Sequence, residues 1–243
     1  MGEPSNPNSP PILAVENLRV ALRSTGAVLS GPTSFELPRA KTLALVGPSG
    51  SGKSLAALAF LGLLPEATFR VAGRIVLDGV DLLAAPEELP KRRGKTIAMV
   101  FQEPATALNP SFSIGAQIAD AARFAGGRTR ALARRRARIL LEQVGLRPVD
   151  EFAQRYPHEL SGGQRQRAVI AMALANDPAV IVADEPVSAL DAVIARDILD
   201  LLAGAVAERG AALVLVTHDP RTVERYADFV TEFGAERSAG GAA

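Results

Sequence analysis

The sequence predicts an α/β fold, and three observations support that prediction. Residues 42–46 form a short apolar run that stops at a glycine-rich turn, and residues 53–64 beyond the turn have helix-forming composition. Residues 180–183 and 212–216 are continuous apolar runs, as expected for strands that a parallel sheet buries on both faces. Residues 191–208, between those runs, space their apolar side chains as a helix does.

The remaining elements follow from weaker patterns. Further strands are expected at residues 12–22, 74–77 and 96–100. Residues 113–159 show no convincing strand, and Ala, Leu and Arg dominate there. We therefore expect a helical subdomain at about residues 111–160, inserted into a single domain that covers residues 12–236. Residues 1–11 and the Gly/Ala-rich residues 237–243 are expected to be flexible tails.

The composition excludes several classes of function. The 243 residues include 27 Lys+Arg and 26 Asp+Glu, for a net charge of +1, which argues against binding a polyanion through bulk charge. Cysteine is absent, so disulfides, thiolate catalysis and cysteine-based metal sites are excluded. The longest apolar run, residues 55–64, is too short for a spanning helix of about 20 residues, so a membrane role is expected to come through a partner.

The glycine-rich turn matches the Walker A pattern in full. It consists of Gly47, Pro48, Ser49, Gly50, Ser51, Gly52, Lys53 and Ser54. Such a loop points backbone N–H groups at phosphate oxygens, its lysine reaches the β- and γ-phosphates, and its serine offers a hydroxyl to Mg²⁺. A glycine-rich turn that binds nothing is the alternative, but a strand before it and a helix after it argue against that. The motif predicts a P-loop NTPase without saying which one.

Two carboxylates, Asp184 and Glu185, end the apolar run that begins at residue 180. Asp184 is placed to hold Mg²⁺, as Walker B acids do. Glu185 is placed to take a proton from an attacking water. The alternative is that the two carboxylates are ordinary acidic residues at the end of a strand. The Walker A motif in the same chain makes this alternative less favoured.

A second anion site is predicted at a helix start. Ser161 is a good N-cap, and Gly162, Gly163 and Gln164 follow it, so backbone N–H groups stay open at the positive end of the helix dipole. An ordinary capped helix is the alternative interpretation.

Residues 160–164, Leu-Ser-Gly-Gly-Gln, resemble the signature motif of ABC-type ATPases, and the resemblance extends from about residue 12 to residue 229. It implies an ABC ATPase fold: a RecA-like P-loop NTPase core with an N-terminal antiparallel β portion and an inserted α-helical subdomain. It also implies roles for three more residues. Gln102 takes the Q-loop position, Asp191 closes a D-loop at residues 188–191, and His218 takes the position of the switch histidine.

The resemblance further implies the cofactors and partners. Glu185, His218 and Gln102 would act in ATP hydrolysis, and Ser54, Gln102 and Asp184 would hold Mg²⁺. Two such domains would pack head to tail, each ATP lying between the Walker A loop of one and the signature of the other. The partners implied are a second ATPase subunit (identical or related), transmembrane permease subunits and, indirectly, an extracytoplasmic substrate-binding protein. The chain would lie on the cytoplasmic face of the membrane, with no nucleic acid expected.

Two segments are similar to importers of oligopeptides, dipeptides and nickel. These are Phe-Gln-Glu-Pro-Ala-Thr-Ala-Leu-Asn-Pro at residues 101–110 and Tyr-Pro-His-Glu-Leu-Ser-Gly-Gly at residues 156–163. Moderate length and residues 39–47 look more like the nickel-type ATPase subunit. His158 lies inside the second segment, so a structural role is expected for it rather than nickel binding.

Two alternatives to an importer motor stay open. One is a soluble ABC ATPase of translation or DNA repair, although such proteins usually carry tandem domains or coiled-coil insertions. The other is a regulatory subunit that binds ATP but hydrolyses it weakly, which intact Lys53, Glu185 and His218 oppose.

Three departures from the family pattern affect the predictions. Leu22 stands where the family usually has an aromatic residue that stacks on adenine, so weak ATP affinity and poor discrimination among nucleotides are expected. Residues 228–236 would cover only part of the strands and helix that usually follow the switch region. A local run of arginines is expected to form a solvated helix face rather than a nucleic-acid site, since no aromatic residue is interleaved with it. The run comprises Arg128, Arg130, Arg134, Arg135, Arg136 and Arg138.

Overall fold

The chain forms the predicted strands and helices, together with one long strand that the sequence pattern does not predict. The computed structural model describes residues 10–234, without the side chains of residues 125 and 126. Within that range the strands are β1 (Leu13–Leu22), β2 (Val28–Leu37), β3 (Thr42–Val46), β4 (Phe69–Leu77), β5 (Val80–Asp81), β6 (Ile97–Val100), β7 (Val180–Asp184), β8 (Ala212–Val216) and β9 (Phe229–Glu232). The helices are α1 (Lys53–Phe60), α2 (Leu89–Arg92), α3 (Pro104–Ala107), α4 (Ile114–Gly126), α5 (Arg130–Gln143), α6 (Val149–Gln154), α7 (Gly162–Ala173), α8 (Ala192–Glu208) and α9 (Pro220–Tyr226).

The chain divides into two compact units, and the first contains an antiparallel sheet. This unit takes the chain up to Leu89 and again from Ala212 onward. Its antiparallel sheet has the strand order β2-β1-β4-β5. The central strand β1 buries Leu13, Val15, Leu18 and Val20 on the core face, which accounts for its partial alternation in sequence.

The strand that the pattern misses is β2. It pairs antiparallel with β1, and the register shifts between Val15 and Leu18 and again between Leu18 and Val20. Gly31 and Pro32 stand inside it, and both residue types normally indicate a break in a strand. The irregular register accommodates them at the edge of the sheet.

The first unit also contains parallel strands. β3 lies between β8 and β9 and pairs parallel with both. Leu45 is opposite Val216, and Val46 is opposite Glu232. β3 and β8 are buried along almost their whole length, as their continuous apolar runs predict. Their C-terminal ends therefore meet at one edge, where the loops that follow them start.

The second unit, Pro90–Ala211, combines a parallel strand pair with helices. β6 pairs with β7, and Val100 lies opposite Ala183. Between these two strands the described residues form only helices and turns. The predicted helical subdomain falls on α4, α5 and α6, and its boundaries stay a prediction, as does the single domain. The predicted tails lie mostly outside the described residues.

The helix predicted to start after Ser161 begins at Gly162 with Ser161 as its N-cap, so the signature glycines form the first turn of α7. One sequence expectation needs correction here. The arginine run is not a uniformly solvated face: Arg128 donates to Asn176 Oδ1 at 2.5 Å, and Arg136 donates to the carbonyl oxygen of Leu174 at 3.1 Å. Both guanidinium groups are partly buried because they bond to groups at the C-terminal end of α7 and just beyond it.

No helix within residues 10–234 is long enough and apolar enough to cross a membrane.

Candidate functional site

The Walker A loop curls tightly after β3 because two of its glycines occupy positions that other residues cannot. Gly47 has a φ of 147°, and a Cβ there would lie 2.4 Å from the carbonyl oxygen of Phe233. Gly52 has a φ of 97°, and its Cβ would lie 2.5 Å from the carbonyl oxygen of Leu29. Both φ values lie in the region that favours glycine. The loop therefore fits between strand β2 and Phe233, the residue after β9, only with glycine at these positions.

Lys53 holds a positive charge inside this loop. Its side chain is buried, with 5% of the residue exposed. The ammonium group donates to the carbonyl oxygens of Gly47 at 2.8 Å and Pro48 at 2.9 Å, and lies 3.4 Å from Ser51 Oγ. All three acceptors are neutral, and no carboxylate pairs with Lys53 among the described residues. A buried cation without a counter-charge favours an anionic ligand.

The start of α1 also favours an anionic ligand. Gly52 is the N-cap and supplies no side-chain hydrogen bond, and the first turn contains no acidic residue. The first-turn N–H groups of a helix have no partner within the helix. With the positive end of the helix dipole, they form a site that suits a phosphate.

His218 follows β8 at the same edge as the Walker A loop. The N–H of Thr217 donates to the carbonyl oxygen of Leu45 at 3.2 Å, which fixes the exit of β8 beside the exit of β3. His218 is exposed. The first unit thus brings the predicted switch histidine and the predicted phosphate loop to one edge of its parallel strands, where α/β proteins bind ligands.

Asp219 anchors the segment that carries His218. Its carboxylate caps α9 by accepting from Arg221 N–H at 3.1 Å, and it accepts the Thr222 hydroxyl at 2.9 Å. The Thr222 hydrogen bond is the main cause that lowers the pKa of Asp219 below its ordinary value. The cap is therefore fully ionised at neutral pH and weakens only when the pH falls into the acidic range.

The second unit brings Gln102 and Glu185 together. Because β6 and β7 are parallel and in register, residues just after both strands emerge at one edge. Gln102 Nε2 lies 3.4 Å from Glu185 Oε2 and 3.3 Å from Ser188 Oγ. Asp184 ends β7 and is 7% exposed. The two predicted Mg²⁺ ligands of this unit and the predicted base are thus close neighbours in its structure.

Glu185 has a strained backbone. Its φ is +41°, a value uncommon for residues other than glycine. Its carbonyl oxygen accepts the N–H of Ser188 at 3.2 Å, so the chain turns directly after β7. Strain of this kind persists where the surroundings fix it, and it is frequent at functional sites.

The signature segment caps its own helix. Ser161 Oγ accepts the N–H of Gln164 at 3.3 Å, and Gln164 Oε1 accepts the N–H of Ser161 at 3.0 Å. This reciprocal capping box uses the third N–H of α7 and leaves the amides of Gly162 and Gly163 without an intrahelical partner. The predicted N-cap is confirmed, and the open amides keep the predicted anion site at this helix start available.

The D-loop packs on the signature glycines, a contact that the sequence does not reveal. A Cβ at Gly162 would lie 3.3 Å from Leu190 Cδ2, and a Cβ at Gly163 would lie 2.8 Å from Ile194 Cγ2. Asp191 fixes this part of the chain by capping α8, accepting from the N–H groups of Val193 at 3.2 Å and Ile194 at 3.1 Å. Glycine at residues 162 and 163 thus leaves room for Leu190 of the D-loop and for Ile194 in the first turn of α8.

The predicted metal ligands of each unit offer oxygen donors. Among residues 10–234 no three His, Asp or Glu side chains lie close enough together to hold a metal ion by themselves. Mg²⁺ is usually bound through one or two carboxylates, waters and the substrate phosphates. The Ser54 hydroxyl, the Asp184 carboxylate and Gln102 Oε1 are oxygen donors of the kind that Mg²⁺ prefers. In Gln102, the oxygen Oε1 is available as a metal ligand because the nitrogen Nε2 already donates to Glu185 and Ser188.

Comparison with protein families identifies the chain. Residues 31–188, more than half of its length, match the family described as ABC transporter. The chain belongs to the ABC transporter family. The match spans the Walker A, Q-loop, signature and Walker B segments of the ABC family pattern described above.

Relatives in the ABC family are similar along most of this chain. It is 45% identical over 227 residues to the peptidoglycan transport ATP-binding protein YejF of Agrobacterium fabrum, covering 92% of this chain and 42% of that protein. It is 43% identical over 222 residues to the oligopeptide transport ATP-binding protein OppD of Mycobacterium tuberculosis, covering 90% of this chain and 36% of that protein. A putative peptide import ATP-binding protein of Brucella melitensis is 41% identical over 221 residues, covering 90% of this chain and 67% of that protein. The chain therefore spans less than half of the first two relatives.

Solved ABC structures share the fold. The ATP-binding cassette MJ0796, in a dimeric post-hydrolysis state bound to ADP and Pi, matches with a TM-score of 0.77 at 28% identity, covering 91% of this chain and 94% of that chain. The protein cbiO1 from Clostridium perfringens is part of the ABC transporter complex cbiONQ. It matches with a TM-score of 0.76 at 28% identity, covering 93% of this chain and 85% of that chain.

These comparisons confirm the predicted family and the predicted α/β P-loop NTPase fold of ABC type. The relatives described above are named for transport, and they give no support to a soluble ATPase of translation or DNA repair. The roles of individual site residues stay predictions.

Proposed function

We propose that this chain binds ATP together with Mg²⁺ and hydrolyses it to power an ABC importer. The observation that carries the proposal is the buried Lys53 ammonium, which meets only neutral oxygens in a loop that precedes an uncapped helix start. A tri- or diphosphate supplies the negative charge that this environment lacks.

In this proposal the first unit binds the phosphates. Lys53 contacts the terminal phosphates, and the amides of residues 49–54 hold the phosphate chain. His218 lies at the same strand edge and contacts the γ-phosphate through its exposed imidazole. Ser54 contributes a hydroxyl ligand to Mg²⁺, an ion that neutralises charge on the transferred phosphoryl group when it is bound.

The residues of the second unit supply the chemistry and the second phosphate contact. Asp184 and Gln102 offer oxygen ligands for Mg²⁺. Glu185 accepts the proton of the attacking water, and Gln102 Nε2 orients its carboxylate at 3.4 Å. Ser161 and the amides of Gly162 and Gly163, with Gln164 and Asp191, contact the nucleotide that a second ATPase subunit holds. Two copies of this chain, or this chain and a related one, would complete the sites.

The substrate class is proposed from the relatives. Three relatives at 41–45% identity are named for transport of peptidoglycan, oligopeptides or peptides, which favours import of a peptide-containing substrate. Nickel or a chelated metal stays an alternative from the sequence resemblance alone. The partners proposed are transmembrane permease subunits and, through them, an extracytoplasmic substrate-binding protein. The chain would act on the cytoplasmic face of the membrane as a peripheral subunit.

The test of the proposed function is the affinity for ATP after the charge of Lys53 is removed. Lys53→Met keeps an apolar stem of similar length and is expected to weaken ATP binding by about 10- to 100-fold, because hydrogen bonds to charged groups are lost. Isothermal titration calorimetry measures the affinity. Lys95→Met is the matched control, because Lys95 is exposed and lies outside both predicted phosphate sites. Equal affinities of wild type and Lys53→Met would contradict the proposal.

A second prediction concerns Leu22, which takes the position of the residue that stacks on adenine in the family pattern. Leu22 ends β1, half-buried, and lies opposite Phe69 of β4. If an aromatic ring at this position stacks on adenine, Leu22→Tyr should raise the affinity for ATP by about 2- to 10-fold, the worth of a ring-on-ring contact. The wild type should bind ATP and GTP with comparable affinity. A strong ATP preference of the wild type, or no gain in Leu22→Tyr, would show that Leu22 does not face the base.

A further inference from the structure

A cavity in the second unit has a basic wall that the proposed ATPase does not use. Its volume is about 600 Å³, and α4, α5 and α6 contribute its lining. The lining includes small side chains, among them Ala119 and Ala137, together with four arginines and one aspartate. The lining therefore carries an excess of positive charge, and its small side chains leave room for a ligand.

Two of these arginines have no partner among the residues that the structure describes. Arg138 pairs with Asp150 of α6, and Arg123 of α4 lies 3.6 Å from Asp120. Among the described residues Arg130 and Arg134 make neither a hydrogen bond nor an ion pair, although other arginines of the same run do.

The position of the two arginines on α5 places two like charges on one exposed helix face. They are four residues apart, so they lie on one face about 6 Å apart along the helix axis. Like charges at this spacing destabilise a helix. Arg130 is also the first residue of α5, where the helix dipole is positive. An anion between the two guanidinium groups would relieve both effects.

We propose that this cavity binds a phosphate group, with Arg130 and Arg134 as its donors. Two guanidinium forks one turn apart suit a tetrahedral group with three terminal oxygens, whereas a single carboxylate is matched by one fork, as Asp150 is by Arg138. The phosphate belongs to a small phosphorylated molecule or to a phospholipid headgroup. None of the described residues that line the cavity is aromatic, so stacking of nucleic-acid bases is not supported. The proposal does not depend on ATP hydrolysis.

The first experiment measures binding of inorganic pyrophosphate by calorimetry. Saturating Mg-free ADP keeps the Walker A loop occupied, so that remaining binding reports on other sites. The wild type is compared with Arg130→Gln/Arg134→Gln, for which the affinity should fall by about tenfold or more. The matched control, Arg19→Gln/Arg135→Gln, removes the same charge from exposed arginines that do not line the cavity and should bind as the wild type does. Circular dichroism melts verify that both variants fold.

The second experiment identifies the source of the phosphate. Flotation compares vesicles of phosphatidylcholine alone with vesicles that also contain phosphatidic acid. Saturable pyrophosphate binding that depends on Arg130 and Arg134 supports a soluble phosphorylated ligand. Flotation that depends on phosphatidic acid and on the same two arginines, without pyrophosphate binding, supports a lipid headgroup. Absence of both, or equal losses in the two double variants, overturns the proposal.

Discussion

Glu185→Gln is expected to bind ATP with nearly unchanged affinity and to hydrolyse it about 10²- to 10⁴-fold more slowly. The substitution keeps the size and hydrogen-bonding shape of the side chain but removes the carboxylate that would accept a proton from water. Glu185 follows the buried strand β7 and lies 3.4 Å from Gln102 Nε2, a geometry that holds the carboxylate in one place. Release of phosphate from ATP, measured at saturating nucleotide, gives the rate.

Glu208→Gln is the matched control, because Glu208 is exposed at the end of α8 and makes no ion pair among the described residues. It should hydrolyse ATP at the wild-type rate. If Glu185→Gln also turned over ATP at that rate, Glu185 would not be the base and the proposed hydrolytic mechanism would be wrong.

The same variant tests how the composite site is assembled. With hydrolysis blocked, ATP without Mg²⁺ should hold two chains together if one sequence can form both halves of each site. Light scattering should then show a doubling of mass on addition of ATP. A chain that binds ATP but keeps the mass of a monomer would instead require a related partner chain.

Strand ends account for the part of the candidate site that the sequence could predict. Apolar runs that stop at Gly47, Gln102, Asp184 and Thr217 identify where parallel strands end, and polar residues at those ends gather at one edge of each strand pair. An alternating apolar pattern or a continuous apolar run indicates such a strand from neighbouring residues alone. The contact between Gln102 and Glu185 also requires that β6 and β7 are neighbours, which only the structure shows.

Features that depend on packing between distant elements could not be predicted. β2 contains Gly31 and Pro32, and only its pairing with β1 shows that the interruption is tolerated. Arg136 reaches the carbonyl oxygens of Leu174 and Ala175, about forty positions along the chain, so its partial burial is invisible in a local charge pattern. The contact of Ile194 with Gly163 likewise requires that α7 and α8 pack together.

Gly163→Ala is expected to lower ATP hydrolysis by about 100-fold, because the added methyl group would displace the start of α7. Its Cβ would lie 2.8 Å from Ile194 Cγ2, closer than two carbon atoms can approach. The isoleucine cannot easily rotate away, since β-branched side chains in helices have one strongly preferred rotamer. The first turn of α7 or the first turn of α8 must therefore shift. A displacement of about 1 Å in a group that positions substrate can cost about 10²-fold in rate.

The choice of compensating substitution decides whether this steric explanation is right. Ile194→Leu removes the Cγ2 atom while conserving volume, so Gly163→Ala/Ile194→Leu should recover most of the lost activity. Ile194→Val retains both branches at Cβ and should not rescue Gly163→Ala. Thermal melts should show the same order, since overpacking costs about 1–3 kcal/mol. If neither substitution restores hydrolysis while the variants stay folded, glycine at residue 163 is required by a ligand that approaches α7, and packing against Ile194 is not the reason for it.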